Sequence, residues 1–384
     1  MNHQPLLFVQ PFGLNSPGGG SRILRALLAD ADTPWHSIAA SPRKVPACTL
    51  GRETRVSGRP FFGRLENSRF HWLPSLLDPW AAKNFQRILY GIAKREKSRG
   101  IHAYAPWWDT VAAYHVAKEL GIPFFLGIYD DPDYGLKDHP HKEKFLPALQ
   151  EAWKSAAGRY VVCEELGEEM CRRWGTASYS IITDGINELN PLPVHREKKR
   201  LHIYFMGLFH IGYEPNLIAL QAAVRRIREE DPELDVRIVT RCGALLPRVQ
   251  TDPELLEMLP FASEEEVKRD LARVDLLYLP LSFNARDAAM ARFSLSTKMI
   301  SYLGAGLPIL YHGPAESAAG GLLEREQAAF ACNSLEPDDL VRTIKSAQSN
   351  AAEEKVRNAR DLAERKFVLR DIRRRFWDSI HAAL

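Results

Sequence analysis

The segment Arg292–Pro308 (RFSLSTKMISYLGAGLP) gathers residue types that hold an anion. Its spacing predicts a helix over Ser296–Gly304 that stops at Gly304–Gly306. Ser296, Thr297 and Lys298 then stand at the helix start, where hydroxyls, backbone N–H groups without intrahelical partners and an ammonium converge. Such a set suits a diphosphate. Arg286 and Arg292, in the loop before it, would add positive charge. An ordinary capped helix with a solvated lysine fits the same spacing.

Two other stretches carry polar chemistry. Ser16–Gly20 (SPGGG) lies between an apolar run and an amphipathic one. Gly18, Gly19 and Gly20 there either let the backbone approach a phosphate or form a tight turn needing φ > 0. No Gly-Lys-Ser/Thr follows, and the spacing is not GxGxxG, which excludes a Walker loop and the usual dinucleotide fingerprint. Tyr129-Asp130-Asp131-Pro132-Asp133 follows a predicted strand. Asp130 and Asp131 either face a ligand or form a solvated acidic turn before Pro132. Paired carboxylates also suit Mg²⁺, but no metal site is expected here. His115 and His202 fall in a predicted helix and strand and read as structural, and Glu316 reads as a surface residue.

The elements that position these residues alternate. Apolar runs at Leu6–Gln10, Trp35–Ala40, His102–Tyr104, Pro123–Ile128, Tyr160–Cys163 and Ser180–Thr183 predict strands. Helical spacing fills Ser21–Ala29 (with Ser21 as N-cap), Thr110–Leu120, Phe145–Ala157 and Leu166–Trp174. Asn187–Arg200 has prolines, charges and no period, and reads as a linker. A second series follows: strands at His202–Met206, Val236–Thr240, Asp275–Pro280 and Pro308–Tyr311, and helices at Pro215–Glu229, Ser263–Ala272 and through much of Pro337–Leu384. Ser263 followed by Glu266 is a capping box. Two such series predict an α/β fold of two doubly wound, Rossmann-like domains with a cleft between them for ligands. The expected boundaries are 1–186, a linker at 187–200, 201–365, and a C-terminal helix at 366–384.

Bulk properties agree. The 384 residues are enough for two domains, and 45% hydrophobic with 26% charged residues is ordinary for globular chains. A net charge of +3 does not point to nucleic acid. Five scattered cysteines argue against a zinc knuckle or disulfide framework and for a reducing cytosol. Neither a signal peptide nor a membrane span is expected. The stretch Arg52–Arg99, with Arg55, Arg59, Phe61, Phe62, Arg64, Arg69, Trp72, Trp80, Lys83, Arg87 and Lys94, is either a charged helical face with core aromatics or a peripheral membrane contact at the inner face of the membrane.

The segment Ser296–Leu310 (STKMISYLGAGLPIL) resembles the donor-site helix of GT-B glycosyltransferases, especially the retaining family 4. Gln10–Arg22, Val161–Glu165 with Ile181–Ile186, Phe205–Asn216, Val274–Pro280 and Leu369–Trp377 resemble further parts of that family, in the same order. The resemblance implies a nucleotide-diphosphate sugar as donor, no bound cofactor, and a glycan, lipid-linked or small-molecule acceptor. It implies that the C-terminal helix packs back on the first domain. It implies that Lys298 contacts the diphosphate, with Arg292 and Asp130 beside the reacting centre. Gly18, Gly19, Gly20, Gly207, Ser296, Thr297 and Ser301 would line the donor. Phe261, in Leu259–Ala262, would lie against the base. Tyr129, Asp130 and Asp131 would face the acceptor. Two departures are plain. Phe293 and Ser301 occupy the places of the family's paired glutamates, and Phe209, His210 and Ile211 replace the basic residues common after Gly207. The alternatives are therefore a catalytically inactive binding or scaffold subunit of the same fold, or a sugar-nucleotide epimerase.

Overall fold

The computed structural model describes residues 4–40, 48–57, 72–191, 199–209, 211–242 and 251–384. They divide into two compact units, Met1–Asp184 with Leu369–Leu384, and Gly185–Val368. Arg59, Phe61, Phe62, Arg64, Arg69 and His210 lie outside the described residues.

The first unit is built on seven strands: β1 (Leu6–Gln10), β2 (Trp35–Ala39), β3 (Arg52–Arg55), β4 (Gly100–Tyr104), β5 (Phe124–Ile128), β6 (Gly158–Val161) and β7 (Ser180–Ile181). Their order is β3-β2-β1-β4-β5-β6-β7, and their ladders are parallel. The strands β1, β4 and β5 are buried along their whole length, the signature of a sheet covered on both faces. The chain winds outward both ways from β1, so right-handed crossovers place helices on both faces. The strand β3 (RETR) has no apolar pattern and is not expected from the sequence. It survives as an edge strand, where charged side chains reach water. The helix Asp78–Glu96 buries Ala81, Phe85, Leu89, Ile92 and Ala93 in the core and exposes Lys83, Arg87 and Lys94, together with Trp80 and Ile88.

One local expectation changes here. Ser21 is not an N-cap. The helix is Gly19–Leu28 with Gly18 at the cap, and the Ser21 hydroxyl donates inside the first turn to Ser16 O (2.5 Å). The helix Leu369–His381 joins this unit: Trp377 Nε1 donates to Leu27 O at 2.9 Å and Arg373 Nε to Ala26 O at 2.9 Å. Its Phe376 is fully buried against Phe8, His102 and Tyr160.

The second unit carries six strands: β8 (Arg200–Met206), β9 (Asp235–Arg241), β10 (Leu256–Leu259), β11 (Leu276–Pro280), β12 (Ile309–His312) and β13 (Phe330–Cys332). The order is β10-β9-β8-β11-β12-β13, again with parallel ladders. The two edge strands escape sequence reading because one is half-exposed and the other is three residues long. The helix Ala318–Arg325 also escapes it. Its sequence AAGGLLER has two glycines, and it is held by Ser317, whose hydroxyl accepts from Gly320 N at 2.8 Å. The Ser263–Glu266 capping box forms as expected.

Part of the stretch read as linker packs on this unit. Asn190 N donates to Gly304 O at 2.9 Å, and Arg360 Nη1 donates to Asn190 O at 2.9 Å. Gly306 has φ +73°, and a Cβ there would lie 2.6 Å from Pro191 O, so this turn requires glycine. Among the described residues no helix is long and apolar enough to cross a membrane. The five cysteines are free thiols.

Candidate functional site

In a doubly wound sheet the chain leaves the central strands in opposite directions, and loops part at their carboxyl ends. In the second unit this switch lies between β8 and β11. Gly207 follows β8 directly. Its φ is +95°, and its N–H donates to Arg241 O at 3.0 Å. A Cβ on Gly207 would stand 3.5 Å from Lys298 Cε, so the glycine leaves the lysine stem its room.

Lys298 arrives from the helix Thr297–Leu303, whose Met299, Ile300, Tyr302 and Leu303 are buried in the core. That anchoring aims Lys298 over two rings. Its Nζ is 4.0 Å from the Phe205 centroid and 5.4 Å from that of Tyr213. The residue keeps partial solvent access, yet the protein packed round its head pushes the amine down to about 7. The ring faces favour the charged form by about 0.5–2 kcal/mol. This offsets part of the burial cost and does not reverse its sign.

The rings are a feature that the chemistry-bearing residues did not announce. Phe205, Phe209 and Tyr213 pack edge to face, with centroids 5.9 to 6.5 Å apart. Their spacing of four along the chain is the signal in retrospect. Beside them, Ser282 Oγ donates to Asp287 Oδ2 at 2.8 Å, and both lie against Gly212, where a Cβ would be 2.7 Å from each. Burial, with the nearby Asp287 carboxylate, raises the Tyr213 phenol to about 12.

The other donor-side residues divide. Ser296 is the N-cap residue of the Lys298 helix, but its side chain makes no capping bond. Ser301 donates to Thr297 O at 3.2 Å, and Phe293 is buried, so neither position replaces a missing carboxylate. Arg292 is exposed, with its guanidinium 5.2 Å from the Phe293 ring centroid. Phe261 is 59% exposed beyond β10. The geometry thus brings Lys298 to Gly207, while Arg292 and Phe261 meet neither of them in any contact described.

In the first unit the corresponding switch lies between β1 and β4. Gly18 and Gly19 are exposed at the helix start there. Gly20 serves packing, since a Cβ on it would lie 2.8 Å from the Tyr104 hydroxyl and 3.0 Å from the Phe12 ring. Tyr129 is buried, stacked on Tyr104 with centroids 4.7 Å apart, and burial raises its phenol. Asp131 is not a solvated turn residue. Its buried carboxylate accepts from Arg173 Nη1 at 2.7 Å and from Asp133 N at 3.0 Å, capping Pro132–Gly135. Asp130, next to it, is exposed. Among the described residues no group of three or more His, Cys, Asp or Glu is placed to hold a metal ion.

No protein-family model matches the sequence, and no curated protein matches it either. Solved structures do match in fold. A sucrose-phosphate synthase from Thermosynechococcus elongatus superposes with TM-score 0.65 at 14% identity, covering 99% of this chain and 100% of its own. An E. coli trehalose-6-phosphate structure bound with UDP-2-fluoro glucose matches at TM-score 0.66 and 13% identity, over 97% and 98% of the two chains. An alpha,alpha-trehalose-phosphate synthase (UDP-forming) from Burkholderia xenovorans, in complex with glucose-6-phosphate, matches at TM-score 0.64 and 10% identity, over 98% and 100%. At such identities the likeness is one of fold. The chain has the two-unit, parallel-sheet α/β fold of GT-B glycosyltransferases.

Proposed function

We propose that this protein is a glycosyltransferase that moves a sugar from a nucleoside-diphosphate sugar to a hydroxyl of an acceptor. The observation that carries this reading is Lys298 beside Gly207 at the switch point of the second unit, the place where this fold type receives phosphates. In the reaction the bond from the sugar's anomeric carbon to the diphosphate breaks and a bond to the acceptor oxygen forms. The acceptor's proton passes to a donor phosphate oxygen, so no protein base is required. Lys298 neutralises the charge that grows on the leaving diphosphate, an electrostatic contribution largest where water is excluded. Asp130, exposed after β5 in the first unit, is the acceptor-side carboxylate.

The solved neighbours support a uridine nucleotide as donor and a sugar or sugar phosphate as acceptor, since one is bound with UDP-2-fluoro glucose and another is in complex with glucose-6-phosphate. The likeness of Ser296–Leu310 to the retaining family supports transfer with retention. A second reading, a nucleotide-binding subunit without turnover, draws on Phe293 and Ser301, which leave the donor without the family's carboxylates. Calorimetry with UDP, GDP, ADP and dTDP, followed by turnover of the matching nucleotide sugar, separates the two. Binding with turnover that Lys298→Ala removes supports the transferase, and binding without turnover supports the subunit. Silence toward every nucleotide sinks both.

A further inference from the structure

The sheet of the second unit ends at β13, and a cavity of about 360 Å³ opens along that edge, within the range of small-ligand sites. The helix Pro337–Ala347 buries Leu340, Val341, Ile344 and Ala347 against the sheet, which turns Arg342 and Thr343 to the cavity. Lys355, from the helix Ala351–Lys366, enters from the other side. Its Nζ lies 5.3 Å from the Phe330 centroid and 3.3 Å from Gln327 Oε1, both neutral, with the Glu354 carboxylate near enough to favour its charged form. Burial outweighs that carboxylate and lowers its amine. One Arg342 nitrogen is held by Asp339, an exposed pair of the kind that contributes little.

The lining sets the ligand class. Arg342 and Lys355 are the cations of the lining and Glu324 its carboxylate, with Asp339 holding one Arg342 nitrogen from outside it. Two cations facing one cavity suit a phosphate group. The remaining polar groups suit hydroxyls. Glu324 is a hydroxyl acceptor, Asn333 has its amide nitrogen on Gly313 O at 2.7 Å and so offers its oxygen, and Thr343 donates to Asp339 O and so offers lone pairs. Leu323 and Ala329 supply apolar surface for a carbon skeleton. We infer that this cavity is a second ligand site, separate from Lys298, which binds a hydroxyl-bearing phosphate ester with its phosphate between Arg342 and Lys355.

The test is calorimetric titration of ribose 5-phosphate and of inorganic phosphate into the full chain, the Arg342→Glu/Lys355→Glu variant and Lys298→Ala. Saturable ribose 5-phosphate binding is expected in the wild type and in Lys298→Ala. It should weaken by roughly tenfold or more in the double variant, one lost charge-assisted contact being enough for that factor. Inorganic phosphate should bind more weakly than the ester. No saturable binding, binding unchanged in the double variant, or binding lost in Lys298→Ala alone overturns the site, and equal affinity for inorganic phosphate overturns the hydroxyl-bearing class. If the double reversal does not fold, the single variants Arg342→Gln and Lys355→Gln make the same comparison. The nucleotide panel above tests the donor site by itself, so either site can fail alone.

Discussion

Nucleotide-sugar binding should weaken as pH rises above 7, and Lys298 is the reason. The ligand-free amine is pushed down from 10.5 to about 7 by the protein packed round it. A diphosphate requires the ammonium, so above pH 7 binding must first take up a proton. The sign follows directly. The charged form binds, the free protein loses that form as pH rises, and affinity falls by about tenfold per pH unit until the pKa of the bound state is reached. Between pH 7 and 9 this amounts to as much as roughly fiftyfold, or about 2.3 kcal/mol. A nucleotide sugar is the right probe, because its diphosphate has no terminal phosphate to titrate in this range. Calorimetry at pH 6, 7, 8 and 9 gives the affinity. Repeating it at pH 8 in buffers of different ionisation enthalpy gives the proton count, expected near one. Lys298→Arg, always charged, should flatten the profile, and Lys298→Met should bind weakly at every pH. Wild-type affinity that is level from pH 7 to 9, or binding with no proton uptake, would refute the role assigned to the buried amine.

Three further outcomes are expected. Lys298→Met should raise the melting temperature of the ligand-free protein near pH 7. The cost of charging the amine there is at most about 4–5 kcal/mol, an upper bound because Lys298 keeps some solvent access; a lower melting temperature would contradict it. His102, walled in by Phe8, Tyr160 and Phe376, is pushed down to about 3 by burial. The unfolded chain binds the proton first, so stability is lost as pH falls from 6.5 toward 3, by at most about 5 kcal/mol from this group, and urea melts of His102→Leu should show a smaller acid loss. Arg173→Met leaves the Asp131 carboxylate buried without its guanidinium. A loss of about 3–5 kcal/mol in denaturant unfolding is expected, and a near-neutral result would show that the pair is not structural.

Much of the architecture could be read from the chain. LLFVQ, FFLGI and LLYLP are apolar at every or nearly every position because parallel strands are covered on both faces, and each forms the strand expected. Gly121 stops its helix in the left-handed region, and Ser263 with Glu266 caps another. These are local effects, settled within a few residues. The strands β3, β10 and β13 were hidden because an edge strand is held by its neighbour's backbone, which the strand's own side chains do not encode.

The site divides along the same line. Lys298 at the start of a helix, after a strand and a loop, was legible because its neighbours in sequence create that position. Its seat on Phe205 and Tyr213, and the fall of its amine to about 7, were not, because strand pairing brings Phe205 there from far along the chain. Asp131 reads in the sequence as either a ligand-binding acid or a solvated turn residue, and the fold places Arg173 against it. The cavity at β13 draws its cations from two helices that the sheet edge brings together. Residue type and local spacing decided which groups exist and which elements carry them. Which charges are desolvated, which are paired, and which face a common space was decided by the packing of segments distant in sequence, because burial and electrostatic coupling depend on distance in space.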